Sequence, residues 1–189
     1  MKILYFLLLI PVFAHSQKLE PIWKLQWKMD MRTAITTISA NRNVKPLEIK
    51  GDTSLMGVVR YKNQFFNSHK AAFVSLFFLQ NRFLRTEIFF DNPLKADSSL
   101  FLLYDSIKSA LTAKYFEPQY CESADKYSGY TDKLNAVKSK SASYYCNWFF
   151  PLGENTEKGG RIYLQISEQG VIVLLYDYIK AAAIEDSDF

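Results

Sequence analysis

The stretch KAAFVSLFFLQNRFLRTEIFFD, residues 70 to 91, decides the fold class of this chain. Two runs rich in β-branched and aromatic residues, 70–80 and 82–91, are joined there by Gln80-Asn81. Two such runs separated by a short polar pair are typical of a β-hairpin. The first run is apolar at both alternating sets of positions, so we predict a central strand that is covered on both faces.

A short helix and one more strand are predicted before this hairpin. Asp30 belongs to the residue types that cap helix N-termini well. The apolar residues after it follow a helical spacing: Met31, Ala34, Ile35 and Ile38. This spacing predicts an amphipathic helix that runs to about Asn41. The run SLMGVVRYK, at 54–62, then predicts the first of three strands.

The second half of the chain repeats this order. Asp97 is predicted to cap a longer helix that ends before Pro118. Three further strands are predicted, at 143–151, 161–167 and 171–179. We therefore predict an internal structural repeat over 21–92 and 97–180. Two α-β-β-β halves give an α+β fold with one antiparallel sheet and both helices packed on one face, which leaves the other face open to solvent or to a partner.

The first residues, MKILYFLLLIPVFAHSQ, have the pattern of a secretory signal peptide. Lys2 precedes an apolar run that is too short to span a bilayer, and small residues precede the expected cleavage after Ser16. We therefore expect residues 1–16 to be removed and residues 17–189 to form a single α+β domain, with an acidic tail at 184–189. No cysteine near the cleavage point accepts a lipid. We expect a periplasmic or secreted protein that has no transmembrane segment after cleavage.

The chain has two cysteines, Cys121 and Cys146, and in an exported protein two cysteines favour a disulfide between them. Cys146 lies in SYYCNWFFP, which taken by itself fits a reactive thiol, a part of a ligand platform or half of a disulfide. A nucleophilic thiol needs a base nearby, and His69 is the only histidine outside the leader. Alternation along a strand places two sets of side chains on opposite faces: Tyr144, Cys146, Trp148 and Phe150 on one, and Tyr145, Asn147 and Phe149 on the other.

Composition and motifs argue against several kinds of chemistry. The formal net charge is +4, and the basic residues are scattered rather than clustered as nucleic-acid binding requires. The sequence has no CxxC or HExxH spacing for a metal, no GxSxG elbow and no phosphate-binding glycine motif. We therefore expect no metal, no cofactor, no nucleic-acid partner and no catalytic residue. Chemistry by carboxylate pairs, which needs no local motif, stays open.

The polar stretch between the second helix and its strands, residues 121–143, is predicted to be a long loop. Loops of this length are usually flexible or functional. This one is therefore either a flexible excursion tied by the cysteines or a binding loop that presents Tyr127 and Tyr130 to a partner. Trp148 and Tyr163 are the other candidate binding residues, since aromatic side chains line ligand pockets.

The segment WKMDMRTAI, residues 27–35, resembles the opening of exported bacterial domains of the outer-membrane assembly lipoprotein type and of the beta-lactamase inhibitory protein family. The latter family is built from two helix-plus-three-strand halves, so the resemblance implies that topology and a binding or inhibitory module without catalytic residues. Lys28 stands where the pattern commonly has a glycine. The HSQ at 15–17 also resembles the leader ends of exported Bacteroidota proteins.

Two classes of function agree with these observations. The first is an exported, non-catalytic interaction protein of the cell envelope, such as an inhibitor, an immunity protein or an assembly accessory, whose partner is another envelope protein. The second is a small-ligand binding protein for a glycan or a lipid, or a carboxylate-dependent envelope enzyme. A mostly apolar pocket with converging polar groups would favour the second class, and a flat aromatic sheet face would favour the first.

Overall fold

The structure, a computed structural model, describes residues 19–52, 55–91, 96–123, 129–150 and 158–180. The predicted signal peptide, the acidic tail and Tyr127 lie outside the described residues.

In the described part of the chain a short 3-10 helix at Ile22–Lys24 precedes the α-helices and strands. The α-helices are α1 (Met31–Arg42), α2 (Asp97–Lys114) and α3 (Tyr130–Lys138). The strands are β1 (Glu48–Asp52), β2 (Met56–Phe66), β3 (His69–Leu79), β4 (Arg82–Phe90), β5 (Tyr120–Glu122), β6 (Tyr145–Phe150), β7 (Lys158–Ile166) and β8 (Ile172–Lys180). The predicted α+β class is therefore confirmed.

The eight strands form one antiparallel sheet in the order β1-β2-β3-β4-β8-β7-β6-β5. The first four strands make up one half and the last four the other, and the halves join where β4 pairs with β8. In each half the first strand is outermost and the last strand is innermost. Both edges of the sheet are therefore short strands, five residues in β1 and three in β5.

The predicted hairpin forms β3 and β4. The two strands are joined by Gln80 and Asn81, whose φ angles are 50° and 57°, the left-handed conformations that a two-residue type I′ turn requires. The side chain of Asn81 accepts a hydrogen bond from the backbone N–H of Met31 at 3.1 Å, which ties the turn to the start of α1. β3 lies inside the sheet, but the expectation that both of its faces are covered is only half right, because Phe73 and Phe77 on its second face are half-buried.

The predicted start of α1 is confirmed, and that of α2 is displaced by one residue. Asp30 caps α1, because its carboxylate accepts a hydrogen bond from the backbone N–H of Thr33 at 2.9 Å. The N-cap of α2 is Ala96, and Asp97 is the first helical residue. A carboxylate in the first turn still stabilises the helix, since it faces the positive end of the helix dipole.

Each half has one strand more than predicted, and residues 121–143 are not a loop throughout. β1 and β5 are too short for an alternating pattern to reveal them. The prediction of a long loop is wrong over α3, which buries Leu134 and Val137. These two residues are three positions apart and so lie on one side of a helix, but the polar residues around them conceal the pattern.

The disulfide between Cys121 and Cys146 is confirmed. The two residues are directly opposite in the pairing of β5 with β6, so the bond fastens the edge strand to the sheet. Cys146 is buried, and its sulfur is used in this bond. The structure therefore removes the reactive-thiol interpretation of SYYCNWFFP.

Alternate residues of the strands point into one hydrophobic core. On β3 the fully buried apolar residues of this set are Val74, Leu76 and Phe78. From α1, the end of the Met31 side chain occupies the space where a side chain at Gly57 of β2 would stand. Just after α2, the Tyr115 ring lies 5.2 Å from the ring of Phe150 in β6. These contacts of the α1 and α2 regions fall on the core side of the sheet.

Candidate functional site: the open face of the sheet

The strand residues that alternate with the core residues form a second face, which we call the open face. Its side chains are mostly half-buried or exposed, and the α1 and α2 contacts described above lie on the opposite side of the sheet. Several large apolar groups belong to it, including Phe149, which is 48% exposed, and Tyr120, which is 51% exposed. The alternation predicted for SYYCNWFFP is confirmed, and the set with Tyr145, Asn147 and Phe149 is the one on the open face.

One cross-strand row runs through the middle of the open face, and we call it the arginine row. Its members are direct partners on five neighbouring strands: Phe77, Arg85, Asp177, Arg161 and Phe149. Adjacent strands lie about 4.8 Å apart, so the row extends over roughly 19 Å. It has a carboxylate at its centre, a guanidinium group on each side and a phenyl ring at each end.

Asp177 holds both arginines of the row. One carboxylate oxygen accepts a hydrogen bond from Nε of Arg85, and the other accepts one from Nη2 of Arg161 at 2.9 Å. The Asp177 side chain is 6% exposed, whereas those of Arg85 and Arg161 are 44% and 32% exposed. The carboxylate therefore lies at the base of the site, and the two guanidinium groups meet the solvent.

Glu87 and Arg60 continue the ionic network over β4 and β2. A carboxylate oxygen of Glu87 lies 3.7 Å from Nη1 of Arg85. Arg60 donates a hydrogen bond to the Ser75 hydroxyl at 3.2 Å and lies 3.5 Å from the Glu48 carboxylate. Burial raises the pKa of Glu87, and the nearby Arg85 offsets this only in part. The Glu87 carboxylate is therefore a partly desolvated member of this network.

Three tyrosines form an aromatic cluster beside the arginine row. The rings of Tyr120 and Tyr145 lie 5.7 Å apart, and those of Tyr145 and Tyr163 lie 5.4 Å apart. The guanidinium carbon of Arg161 lies 5.7 Å from the centre of the Tyr163 ring, a cation–π distance. Burial raises the pKa of the Tyr163 hydroxyl, so at neutral pH it stays protonated and donates to the Gln165 side chain at 3.1 Å.

The two hollows described on the surface are not typical small-molecule sites. One of about 200 Å³ adjoins the tyrosine cluster and is lined by polar groups such as Lys140 and Gln165 as well as by rings. The other, of about 420 Å³, lies along α2 between side chains such as Lys108 and Glu117. Small-molecule pockets are usually about 300 to 1,000 Å³ and lined mainly by hydrophobic and aromatic side chains. The first hollow is smaller than this, and the second is lined mainly by charged and hydroxyl-bearing side chains without an aromatic ring.

The structure describes three of the four predicted binding residues, because Tyr127 lies outside the described ranges, and it places these three apart. Tyr163 lies on the open face, and Tyr130 is the first residue of α3. Trp148 is fully buried on the core side, and its Nε1 donates a hydrogen bond to the carbonyl of Phe116 at 2.8 Å. Trp148 is therefore a core residue, because strand alternation turns it away from the open face that its neighbour Phe149 occupies.

His69 is the first residue of β3. Its Nε2 is 3.2 Å from the hydroxyl of Ser106 on α2, at an exposed position. Within the described ranges, no group of three or more His, Cys, Asp or Glu side chains is arranged to hold a metal ion.

The arginine row is the feature that sequence reasoning missed. Arg85 stands inside the apolar run RFLRTEIFF, and Asp177 stands inside VIVLLYDYI. A charge within such a run is a signal, because a strand of a buried sheet rarely carries one without a partner. The two residues are 92 positions apart, however, and the sequence does not say which charges become neighbours.

No family model matches this chain, and no curated protein or solved structure matches it either. None of the helices in the described part of the chain is both long and apolar enough to cross a membrane. The geometry of the open face is therefore the ground on which a function is proposed.

Proposed function

We propose that this chain is an exported, non-catalytic interaction protein of the cell envelope that binds a partner protein with the open face of its sheet. One observation carries the proposal. The arginine row places two partly exposed guanidinium groups between two phenyl rings, on the side of the sheet opposite the α1 and α2 contacts.

The chemistry of this face supports a protein partner. Arginine and tyrosine dominate the energetically important centres of protein interfaces, and lysine and glutamate are depleted there. The open face brings Arg85 and Arg161 together with the tyrosine cluster and with Phe149. Aromatic side chains also lose little conformational freedom on binding, because they have few rotatable bonds.

The disulfide supports export. Such bonds persist in oxidising compartments and are rare where cellular thiols are kept reduced. Cys121 lies in an exposed edge strand, where a reductant has access to the bond. A permanent structural bond at this position fits a protein that acts in the envelope or outside the cell.

Site-specific photo-crosslinking in the native host tests the proposal. A photoreactive phenylalanine analogue replaces Phe149 on the open face or, as a matched control, Leu102, a residue of α2 that is 61% exposed. We expect a discrete protein adduct from position 149 and none from position 102. Adducts from position 102 alone, from neither position, or with lipid or glycan in place of protein would contradict the proposal.

A further inference from the structure

We infer that the partner places a carboxylate side chain between Arg85 and Arg161 and covers Phe77 and Phe149 with apolar groups on either side. This inference rests on the proposed function, since it assigns the chemistry of the group that the open face binds.

The first argument is the balance of donors and acceptors at the centre of the face. A guanidinium group has five N–H donors, and Asp177 takes one from Arg85 and one from Arg161. Both oxygens of Asp177 are thereby engaged, and its side chain is only 6% exposed. Within the arginine row the groups that a partner meets are therefore the remaining guanidinium donors, and the neighbouring Glu87 carboxylate lies beside Arg85, 3.7 Å from its Nη1. A partner must supply acceptors to the donors that are left.

The second argument is that the Arg161 guanidinium group is incompletely paired. Its Nε is buried and has no hydrogen-bond partner among the described residues. Its ionic contact is with one oxygen of Asp177, an anion that Arg85 shares. Glu87 lies near Arg85 at 3.7 Å, but no ion pair joins it to Arg161 in the described structure. Arg161 is thus the less neutralised of the two arginines.

The third argument is the cost of covering these groups. A charged donor buried without an acceptor carries a larger desolvation penalty than an unpaired neutral group. A carboxylate avoids this cost, because its two oxygens match the fork of a guanidinium group. A cationic partner group would instead be repelled by both arginines. An amide would accept hydrogen bonds from some of the donors but would not neutralise the positive charge of Arg85 and Arg161.

The position of the pair defines the rest of the contact. Arg85 and Arg161 stand on strands two apart in the sheet, with backbones separated by about 10 Å. The phenyl rings of Phe77 and Phe149 are the next members of the row on either side. A charged anchor enclosed by apolar contacts that exclude water is the arrangement found at interface hot spots.

The test uses a phage-displayed library of random short peptides, selected on the oxidised protein at physiological ionic strength. We expect the enriched peptides that map to the open face to share an aspartate or glutamate flanked by aromatic or aliphatic residues. Mapping uses loss of binding to the Phe77→Ser and Phe149→Ser variants.

Two substitutions, one in the peptide and one in the protein, then measure the contribution of the carboxylate anchor, the acidic side chain bound between Arg85 and Arg161. Replacing the acidic residue of a selected peptide by its amide should weaken binding by at least about tenfold, and so should Arg161→Gln in the protein. Arg32→Gln, which removes an exposed positive charge on α1, should leave the affinity within about twofold. The peptide variant keeps the test valid even if Arg161→Gln destabilises the fold, and combining both changes should cost little more than either one.

The outcomes separate the two proposals. Peptides that map to the open face but lack an acid, or whose affinity ignores both substitutions, would overturn the carboxylate anchor and leave the proposed function standing. If no selected peptide maps to the open face, both the proposed function and the anchor fail.

Discussion

The two faces of the sheet are made by the same strands and have opposite chemistry. On β4, Ile88 and Phe90 point into the core and are fully buried, whereas Arg85 and Glu87, which alternate with them, lie on the open face. On one face the side chains exclude water and stabilise the fold. On the other, charged groups are held in defined positions with part of their surface exposed. Because neighbours in sequence belong to different faces, a substitution on one face can leave the other intact.

The largest expected effect comes from two adjacent residues of β6. Trp148→Ala should lower the free energy of unfolding by about 3 to 5 kcal/mol, because it empties a fully buried site and frees the carbonyl of Phe116. Phe149→Ala should cost about 1 kcal/mol or less, because the ring is already 48% exposed. Urea unfolding of both variants checks this. Equal losses would mean that the open face is packed like the core.

The disulfide sharpens the contrast between the two edges of the sheet, since β1 has no covalent tie. Replacing Cys121 and Cys146 together by serine should reduce the free energy of unfolding by about 3 to 4 kcal/mol, the chain-entropy value for a loop of this length. Unfolding of the wild-type protein with and without reductant is the control, and it should show the same loss. A loss below about 1 kcal/mol would contradict a structural role for the bond.

A smaller loss of stability is expected from Asp177, the buried carboxylate of the open face. Asp177→Asn should destabilise the fold by about 1 to 3 kcal/mol, because it removes the charge that holds two guanidinium groups. The matched control is Glu168→Gln, which breaks an exposed pair with Lys140 and should cost less than about 0.5 kcal/mol. Denaturant unfolding at neutral pH measures both. Equal losses of unfolding free energy in the two variants would mean that the Asp177 ion pairs contribute no more than an exposed surface ion pair.

The smallest effect is a change in pH dependence at Glu87. Burial raises the pKa of this carboxyl in the folded protein above its unfolded value, so the folded state holds the proton more tightly. Its contribution is then favourable below the unfolded pKa and is lost as the pH rises through the folded pKa. Glu87→Gln should therefore be more stable than the wild type at neutral pH, and the difference should shrink in acid. Unfolding curves across this range test the sign, and a variant less stable at neutral pH would contradict it.

Local patterns predicted the elements that depend on neighbours in sequence. The hairpin at Gln80-Asn81, the start of α1 at Asp30 and the two faces of β6 follow from turn chemistry, capping and alternation. The disulfide followed from the cysteine count together with the expected export. Failures arose where the pattern was too short or too polar to be visible, as in β1, β5 and α3. Trp148 was chosen because it is aromatic, although its position in the alternation already set it opposite Phe149.

The sequence by itself determined that this chain has an α+β fold with an antiparallel sheet, that side chains on its strands alternate between two faces, and that its two cysteines pair, because these properties depend on short-range periodicity and on composition. Only the tertiary structure decided that β4 pairs with β8 and that Arg85, Asp177 and Arg161 become neighbours. It also decided that Trp148, and not Phe149, faces the core. The physical reason is that pairing between strands far apart in the chain is settled by how the two halves bury their apolar faces together. The charges of the open face are brought into one row as a consequence.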